Sequence, residues 1–370
     1  MVTSTCFNSA GNTTSLVAYS ILLIVIGLLF LCYDPDSTRI TKYFTVSPTE
    51  KSTRYKPISR MNTQRQGQQQ FCDEECQWLQ LQSHRRETLH EACTAYNESS
   101  PNNLRQWLMD HLNVLLFLWV SDKHKALYCN VPKVASTNWK KVFYILNKGV
   151  VPYNQSFISN VISNLHVHTN TTYADWQLMR MSPKDVIHRL KTYTKFIIVR
   201  DPFTRTLSAY REKFENEHNQ NRRIWKTWIY KMYLYVTRQN SLFELPYGSQ
   251  FTWPEFLQFV SNPNAKFTVN GAQHWMPISE LCFPCQIKYD IIGKLETLDN
   301  DAKFILKKLG VPELESVVSS SSGHATNSSD ADTQHTYLDE LSVDDVNGFE
   351  RKYEKDFKLF GYSMFSYVQN

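Results

Sequence analysis

The chain has 370 residues, 42% hydrophobic and 20% charged, which excludes an intrinsically disordered polypeptide and leaves room for one large domain with appendages. Its net charge of +5 accommodates an acidic partner without calling for one, and no nucleic-acid partner is expected from it. Aromatic residues make up 14%, with a dense run in "RRIWKTWIYKMYLY", where core packing is a simpler explanation than sugar stacking.

Leu16 to Cys32, "LVAYSILLIVIGLLFLC", carries no charge and is long enough to cross a thin bilayer as a helix. No basic segment precedes it and no small-x-small cleavage site follows, so a retained signal anchor is expected. The chain then divides into a short tail (1–15), the anchor (16–32), a stem (33–110) and a main domain (111–370). Charge bias alone argues for a cytosolic main domain, because Arg39, Lys42 and Lys51 follow the span and residues 1–15 hold no Lys or Arg. Against it stand an even set of cysteines beyond the anchor (Cys72, Cys76, Cys93, Cys129, Cys282, Cys285) and sequons at Asn97, Asn154, Asn170 and Asn327. These favour an oxidising lumen and a type II topology. "CDEEC" and "CFPC" also have the spacing of zinc ligand pairs, but they lie far apart with no His pair nearby, so disulfides are preferred.

Residues 33–70 are poor in aliphatics and rich in Ser, Thr, Gln, Lys and Arg, the composition of a stem. From Cys72 to His111 the pattern reads as an amphipathic helix with apolar positions at Trp78, Leu79, Leu81 and Leu89. "LLFLWV" (115–120) is a strand or a helix end. Two strand-loop-helix units follow: "ALYCNV", "PKVAST" and "NWKKVFYILNKG", then "KFIIVR", "DPF" and "TRTLSAYREKF". Asp201 suits an N-cap and Pro202 a first helical turn. Short β-branched runs that halt at polar residues predict an α/β fold with a central parallel sheet flanked by helices. "FTWPEFLQFV" is a helix entered at Pro254, and "YDIIGKLETLDNDAKFILKKLG" a strand, a Gly turn and a helix. Residues 316–334 form a polar loop expected to be mobile, and "VDDVNGFERKYEKDFKLFGY" a closing helix docked through its aromatics.

Helix N-termini favour anions, because their first N–H groups lack partners and the macrodipole is positive there. The first loop adds Lys133 and the donors Ser136, Thr137 and Asn138. The Walker glycines are absent, which disfavours a P-loop NTPase. The second loop offers Arg200, able to fork onto a phosphate, and Ser208 further along the helix. Together they suit a ligand with two separated anionic groups. The competing explanation for Arg200 and Asp201 is an ion pair at a strand end.

"PKVASTNWKKV" resembles the 5′-phosphosulfate loop of Golgi carbohydrate sulfotransferases, and "VRDPFTRTLSAYREKF" resembles their 3′-phosphate segment. "HWMPISELCFPCQIKYDIIGKLETLDNDA" is similar to a third block of the group that includes the chondroitin and dermatan 4-O-sulfotransferases, and "YEKDFKLFGY" to their C-terminus. The resemblance implies a P-loop-like sulfotransferase fold, with 111–370 as the catalytic domain in the Golgi lumen. It also implies 3′-phosphoadenylyl sulfate (PAPS) as donor, a glycosaminoglycan or related glycan as acceptor, and no metal. Carried over, Pro132, Lys133, Val134, Ala135, Ser136, Thr137 and Asn138 hold the 5′-phosphosulfate. Arg200, Asp201, Pro202, Phe203, Thr204, Arg205, Thr206, Leu207 and Ser208 hold the 3′-phosphate, with Arg200 and Ser208 in direct contact. Lys133 stabilises charge on the bridging oxygen as the bond to sulfur breaks. Ser136 stands where many members have cysteine, and it remains a donor.

Histidine is the usual base near neutral pH. His166, favoured by its place after the first helix, His168, and His274 in the third block are the candidates. Residues 219–250, with Arg222, Arg223, Lys226 and Lys231, either line an acceptor groove or form a solvated basic helix. The alternative function is a catalytically silent, membrane-anchored glycan-binding protein. A nucleotide kinase is weakened by the missing Walker glycines.

Overall fold

The computed structural model describes residues 72–149, 176–215, 225, 227–228, 251–263, 269–319 and 326–364. The expected anchor, residues 16–32, lies outside them. Among the described residues no helix is long and apolar enough to cross a membrane.

Four strands form the sheet: β1 Leu118–Ser121, β2 Ala126–Cys129, β3 Thr194–Val199 and β4 Ile291–Lys294, in the order β1-β2-β3-β4. β2, β3 and β4 are parallel, with Tyr128 opposite Phe196 and Phe196 opposite Ile291, and β1 runs antiparallel at the edge. These strands are almost wholly buried, as expected of a sheet covered on both faces. "LLFLWV" proves to be both things proposed for it, the end of a 3₁₀ turn (Leu112–Leu116) and then β1.

The principal helices are α1 Glu74–Ala95, α2 Ser136–Lys148, α3 Pro183–Thr192, α4 Pro202–Tyr210, α5 Trp253–Ser261, α6 Leu298–Lys308, α7 Glu315–Ser319, α8 Ala331–Asp339 and α9 Val343–Phe360. β2 leads into α2 and β3 into α4, so the N-termini of these two helices open at the same edge of the sheet, just past the C-terminal ends of adjacent parallel strands. That edge is where open α/β sheets bind ligands. Beneath it Tyr128 stacks on Phe196 at 5.0 Å, and Trp139 of α2 meets the same ring at 5.1 Å.

Part of the stretch assigned to the stem is built into the fold, since α1 packs against β4, α6 and α9. Its inward residues are Trp78, Gln82, Arg85, Leu89 and Ala92, at helical spacing, while Leu79 is exposed. Gln82 and Arg85 are tolerated inside because Asp301 of α6 receives them. That buried carboxylate accepts hydrogen bonds from Arg85 Nη1 and Trp78 Nε1, both at 2.9 Å, and from Gln82 Nε2, Thr297 Oγ1 and the Lys294 backbone.

Two further expectations are corrected. Gly293 is a strand residue, not a turn; a Cβ there would come within 2.5 Å of Ile198 Cδ1, so glycine admits the close packing of β3 on β4. Both ends of the 316–334 stretch expected to be a mobile loop are helical: residues 316–319 belong to α7, and 331–334 open α8, capped by the Asp330 side chain accepting from Thr333 N. The disulfides preferred for the cysteines are present: Cys282 bonds Cys129, Cys285 bonds Cys93 and Cys72 bonds Cys76. The sequon residues Asn97 and Asn327 are exposed; Asn154 and Asn170 lie outside the described residues.

Candidate active site

The first loop takes a shape normally reserved for glycine. Lys133 (φ 71°) and Ala135 (φ 60°) are both left-handed, with the buried Val134 between them. Such turns aim consecutive backbone N–H groups into one concavity, but they strain a residue that carries a Cβ. Neighbouring side chains hold the strain in place. Arg200 Nη1 donates to the Lys133 carbonyl at 3.2 Å, and Arg205 Nε donates to the Pro132 carbonyl at 3.1 Å. Asn138 Nδ2 ties the start of α2 to the Val318 carbonyl of α7 at 2.8 Å. Ser136 and Thr137 remain half-buried at the helix mouth.

In the second loop the Asp201 side chain caps α4 by accepting from Thr204 N at 2.9 Å, and the Asp201 backbone N–H donates to Glu296. Arg200 Nε donates to Thr204 Oγ1, and Nη2 donates to Ser328 Oγ and Ser329 Oγ, each at 2.8 Å. Ser208 Oγ shares a hydrogen bond with Thr326 Oγ1, which is in turn 2.9 Å from Ser328 Oγ. Arg200 and Ser208 are thus joined through a string of hydroxyls whose protons can rotate toward an anion, a set suited to a phosphate. Thr326, Ser328 and Ser329 were missed in the sequence because they sit in a stretch whose composition reads as an ordinary polar loop.

The remaining positions of the second segment do other work. Phe203 packs edge-on against Trp253 and Phe349, and Leu207 is in the core. Pro202 opens the helix, and Thr206 is buried. Arg205 is enclosed among carbonyls, of Met276 at 2.7 Å and Gln273 at 3.0 Å besides Pro132, so it braces the site and does not face a ligand. Val134 and Asn138 likewise support the first loop.

After Tyr210 the helix widens into a π-helical turn, Arg211–Glu215, a local irregularity that frequently marks functional sites. It sets Glu212 and Lys213 side by side against the first loop: Glu212 Oε2 accepts from Lys133 Nζ, and Oε1 accepts from Lys213 Nζ at 2.5 Å. Burial would raise the Glu212 carboxyl, but Lys133 and Lys213 overrule it and hold the group well below the usual carboxylate range. Burial pushes Lys133 down to about 8 against the pull of Glu212.

His274 faces this cluster on a segment fastened from several directions. Asp356 of α9 accepts from the Ile278 and Ser279 backbones, Tyr353 donates to the Trp275 carbonyl, and Cys282 is bonded to Cys129 at the end of β2. The ring is half-buried, its Nδ1 is enclosed with no hydrogen-bond partner among the described residues, and Trp225 meets it edge-on at 5.5 Å. Packing, with Lys213 nearby, depresses it well below 6.5, so it is neutral at physiological pH. His166, His168, Arg222, Arg223, Lys226 and Lys231 lie outside the described residues. Among the described residues no group of three or more His, Cys, Asp or Glu is placed to hold a metal ion.

Lys133 makes anion binding at the first loop depend on pH. The ammonium form grips an anion, and its proton is lost as pH rises through about 8, so affinity for an anionic ligand at this loop is full below that pH and declines above it. Calorimetry of adenosine 3′,5′-bisphosphate (PAP) binding between pH 7 and 9.5 should therefore find weaker binding at high pH together with proton uptake. A flat profile would contradict this.

A parallel sheet with two helix mouths on adjacent strands, one carrying an enclosed lysine and the other an arginine among hydroxyls, is an α/β arrangement suited to a ligand with two anionic groups. The sequence profile described as the sulfotransferase family matches residues 117–363, and the chain belongs to that family. It is a sulfotransferase, which requires a sulfonate donor. It is 32% identical over 322 residues to carbohydrate sulfotransferase 10 of Xenopus laevis, covering 86% of each chain. Human carbohydrate sulfotransferase 10 is 36% identical over 262 residues (70% of each), and carbohydrate sulfotransferase 11 of Danio rerio 33% over 291 residues (78% of each). No solved structure matches the chain.

Proposed function

We propose that the protein transfers the sulfuryl group of PAPS to a hydroxyl of a glycosaminoglycan or related glycan, with O-4 of GalNAc in chondroitin or dermatan as the acceptor position. The observation that carries this reading is the fork of Arg200, which reaches the Lys133 carbonyl on one side and Ser328 and Ser329 on the other. It couples two donor-rich pockets, as a nucleotide with a 3′-phosphate and a 5′-phosphosulfate demands. Arg200, Ser208, Thr326, Ser328 and Ser329 would hold the 3′-phosphate. The backbone of 133–137, with Lys133, Ser136 and Thr137, would hold the 5′-phosphosulfate.

Within that frame the chain's own groups do most of the chemistry by position and charge. The donor, when bound, supplies the activated sulfuryl group. Lys133 would meet the bridging oxygen, where negative charge accumulates as the bond to sulfur breaks. Lys133, Lys140 and Lys213 outnumber Glu212 around the cleft, and such an excess of positive charge attracts an acidic glycan. The relatives named carbohydrate sulfotransferases support a sugar acceptor. A glycan-binding protein without turnover has no need of an enclosed lysine-carboxylate pair, so that reading is not favoured. The even cysteines, all six bonded, support residence in the Golgi lumen behind a type II anchor at 16–32.

The test is an acceptor panel. Radiolabelled PAPS and the luminal fragment are incubated with desulfated chondroitin, dermatan and N-glycans, followed by disaccharide analysis. Label at O-4 of GalNAc is expected; label on another sugar moves the acceptor assignment, and none on any acceptor overturns the reading.

A further inference from the structure

We propose that Glu212 is the base that takes the proton of the acceptor hydroxyl, and that Lys133 holds it in reserve until the donor draws the lysine away. This rests on the sulfuryl-transfer reading above and replaces the histidines expected from the sequence.

The argument starts from the π-helical turn. It carries both Glu212 and Lys213, and Glu212 ends in hydrogen-bond contact with Lys213 and with Lys133, the lysine assigned to the leaving oxygen. In an in-line displacement the entering and leaving oxygens lie on opposite sides of sulfur. Only the sulfur separates them, so a carboxylate that touches the lysine serving one can reach the other when that lysine turns away. The Glu212 side chain is 15% exposed, enough to meet a sugar hydroxyl and too little to be washed by bulk water.

The electrostatics give the arrangement a switch. With Lys133 and Lys213 both on its oxygens, Glu212 is a weak base. When Lys133 turns to an incoming phosphosulfate, one of the two cations is gone while the burial remains, and the proton affinity of the carboxylate rises. Base strength is thereby tied to the presence of donor. His274 is less well placed: its Nδ1 is enclosed, the ring is walled by Trp225, and Lys213 and Glu212 are among the charges that it senses.

In the step, the acceptor O–H gives its proton to a Glu212 oxygen and the sugar oxygen bonds to sulfur. The bond from sulfur to the bridging oxygen breaks, and that oxygen departs with the electron pair on PAP, hydrogen-bonded by Lys133.

Glu212→Gln tests this with two readouts that move apart. Turnover should fall about a hundredfold or more, the usual worth of a positioned base. Calorimetric PAP affinity should stay the same or tighten, because glutamine no longer competes with the ligand for Lys133. Glu212→Asp should restore part of the turnover. Turnover within threefold of wild type overturns the proposal. So does a parallel loss of PAP binding and turnover, which would mean that Glu212 merely props the loop. If the wild-type protein binds PAP yet sulfates no acceptor in the panel, the sulfuryl-transfer reading itself falls, and this assignment with it.

Discussion

Lys133→Ala should lower sulfate transfer about a thousandfold, the upper end for removing one preorganised charge from a developing oxyanion. The loss should appear mainly in kcat. In the ground state several backbone N–H groups of 133–137, with Ser136 and Thr137, would still hold the phosphosulfate, so PAP affinity should weaken only about tenfold, the worth of one charged hydrogen bond. In the transition state the bridging oxygen takes on charge that a cation meets better than the neutral Ser136 and Thr137 hydroxyls do. The left-handed backbone at 133 aims the ammonium into the cleft, where Glu212 already grips it. Lys133→Arg should recover little, because a planar fork does not reproduce a point charge at the same spot. The check is steady-state transfer of labelled sulfate beside calorimetric PAP binding. Turnover within tenfold of wild type would remove Lys133 from the chemistry.

The largest expected effect on stability is at Asp301. Asp301→Ala leaves the buried Arg85 without its carboxylate and strips an acceptor from Trp78, Gln82, Thr297 and the Lys294 N–H. Breaking such a buried pair costs about 3–5 kcal/mol. For a domain of this size that lowers Tm by about 10 °C. Replacing both members, Arg85→Met with Asp301→Leu, should cost less than Asp301→Ala alone, since no charge is then stranded. Thermal unfolding followed by circular dichroism decides between them. A Tm within 1 °C of wild type for Asp301→Ala would show that the network contributes nothing.

The two loops were legible in the sequence because each combines a β-branched run, an abrupt polar stop and a helical continuation, and the parallel strands they follow are adjacent in the sheet. Asp201 as a cap, and the closing helix docked through Phe349, Tyr353, Phe357 and Phe360, were legible for the same local reasons. What escaped has long-range or irregular causes. Glu212 stood in plain view in "AYREKF", but a 3.6-residue period cannot signal the π turn that directs it inward. Thr326, Ser328 and Ser329 acquire meaning only through Arg200 and Ser208, more than a hundred residues away. The inward face of α1 was misassigned because apolar periodicity does not register Gln82 and Arg85, which are buried for the sake of Asp301. Arg205 looks like a second phosphate ligand in the motif; only the fold reveals the three carbonyls that consume it.

Recognition of a ligand at two separated anionic points is tested most directly by comparing PAP with AMP, which differ only in the 3′-phosphate. Calorimetry should find PAP bound at least about a hundredfold more tightly, and Arg200→Ala should erase that preference, as expected when a hydrogen-bonded charge pair loses one member. Equal affinity of the wild-type protein for PAP and AMP would contradict it.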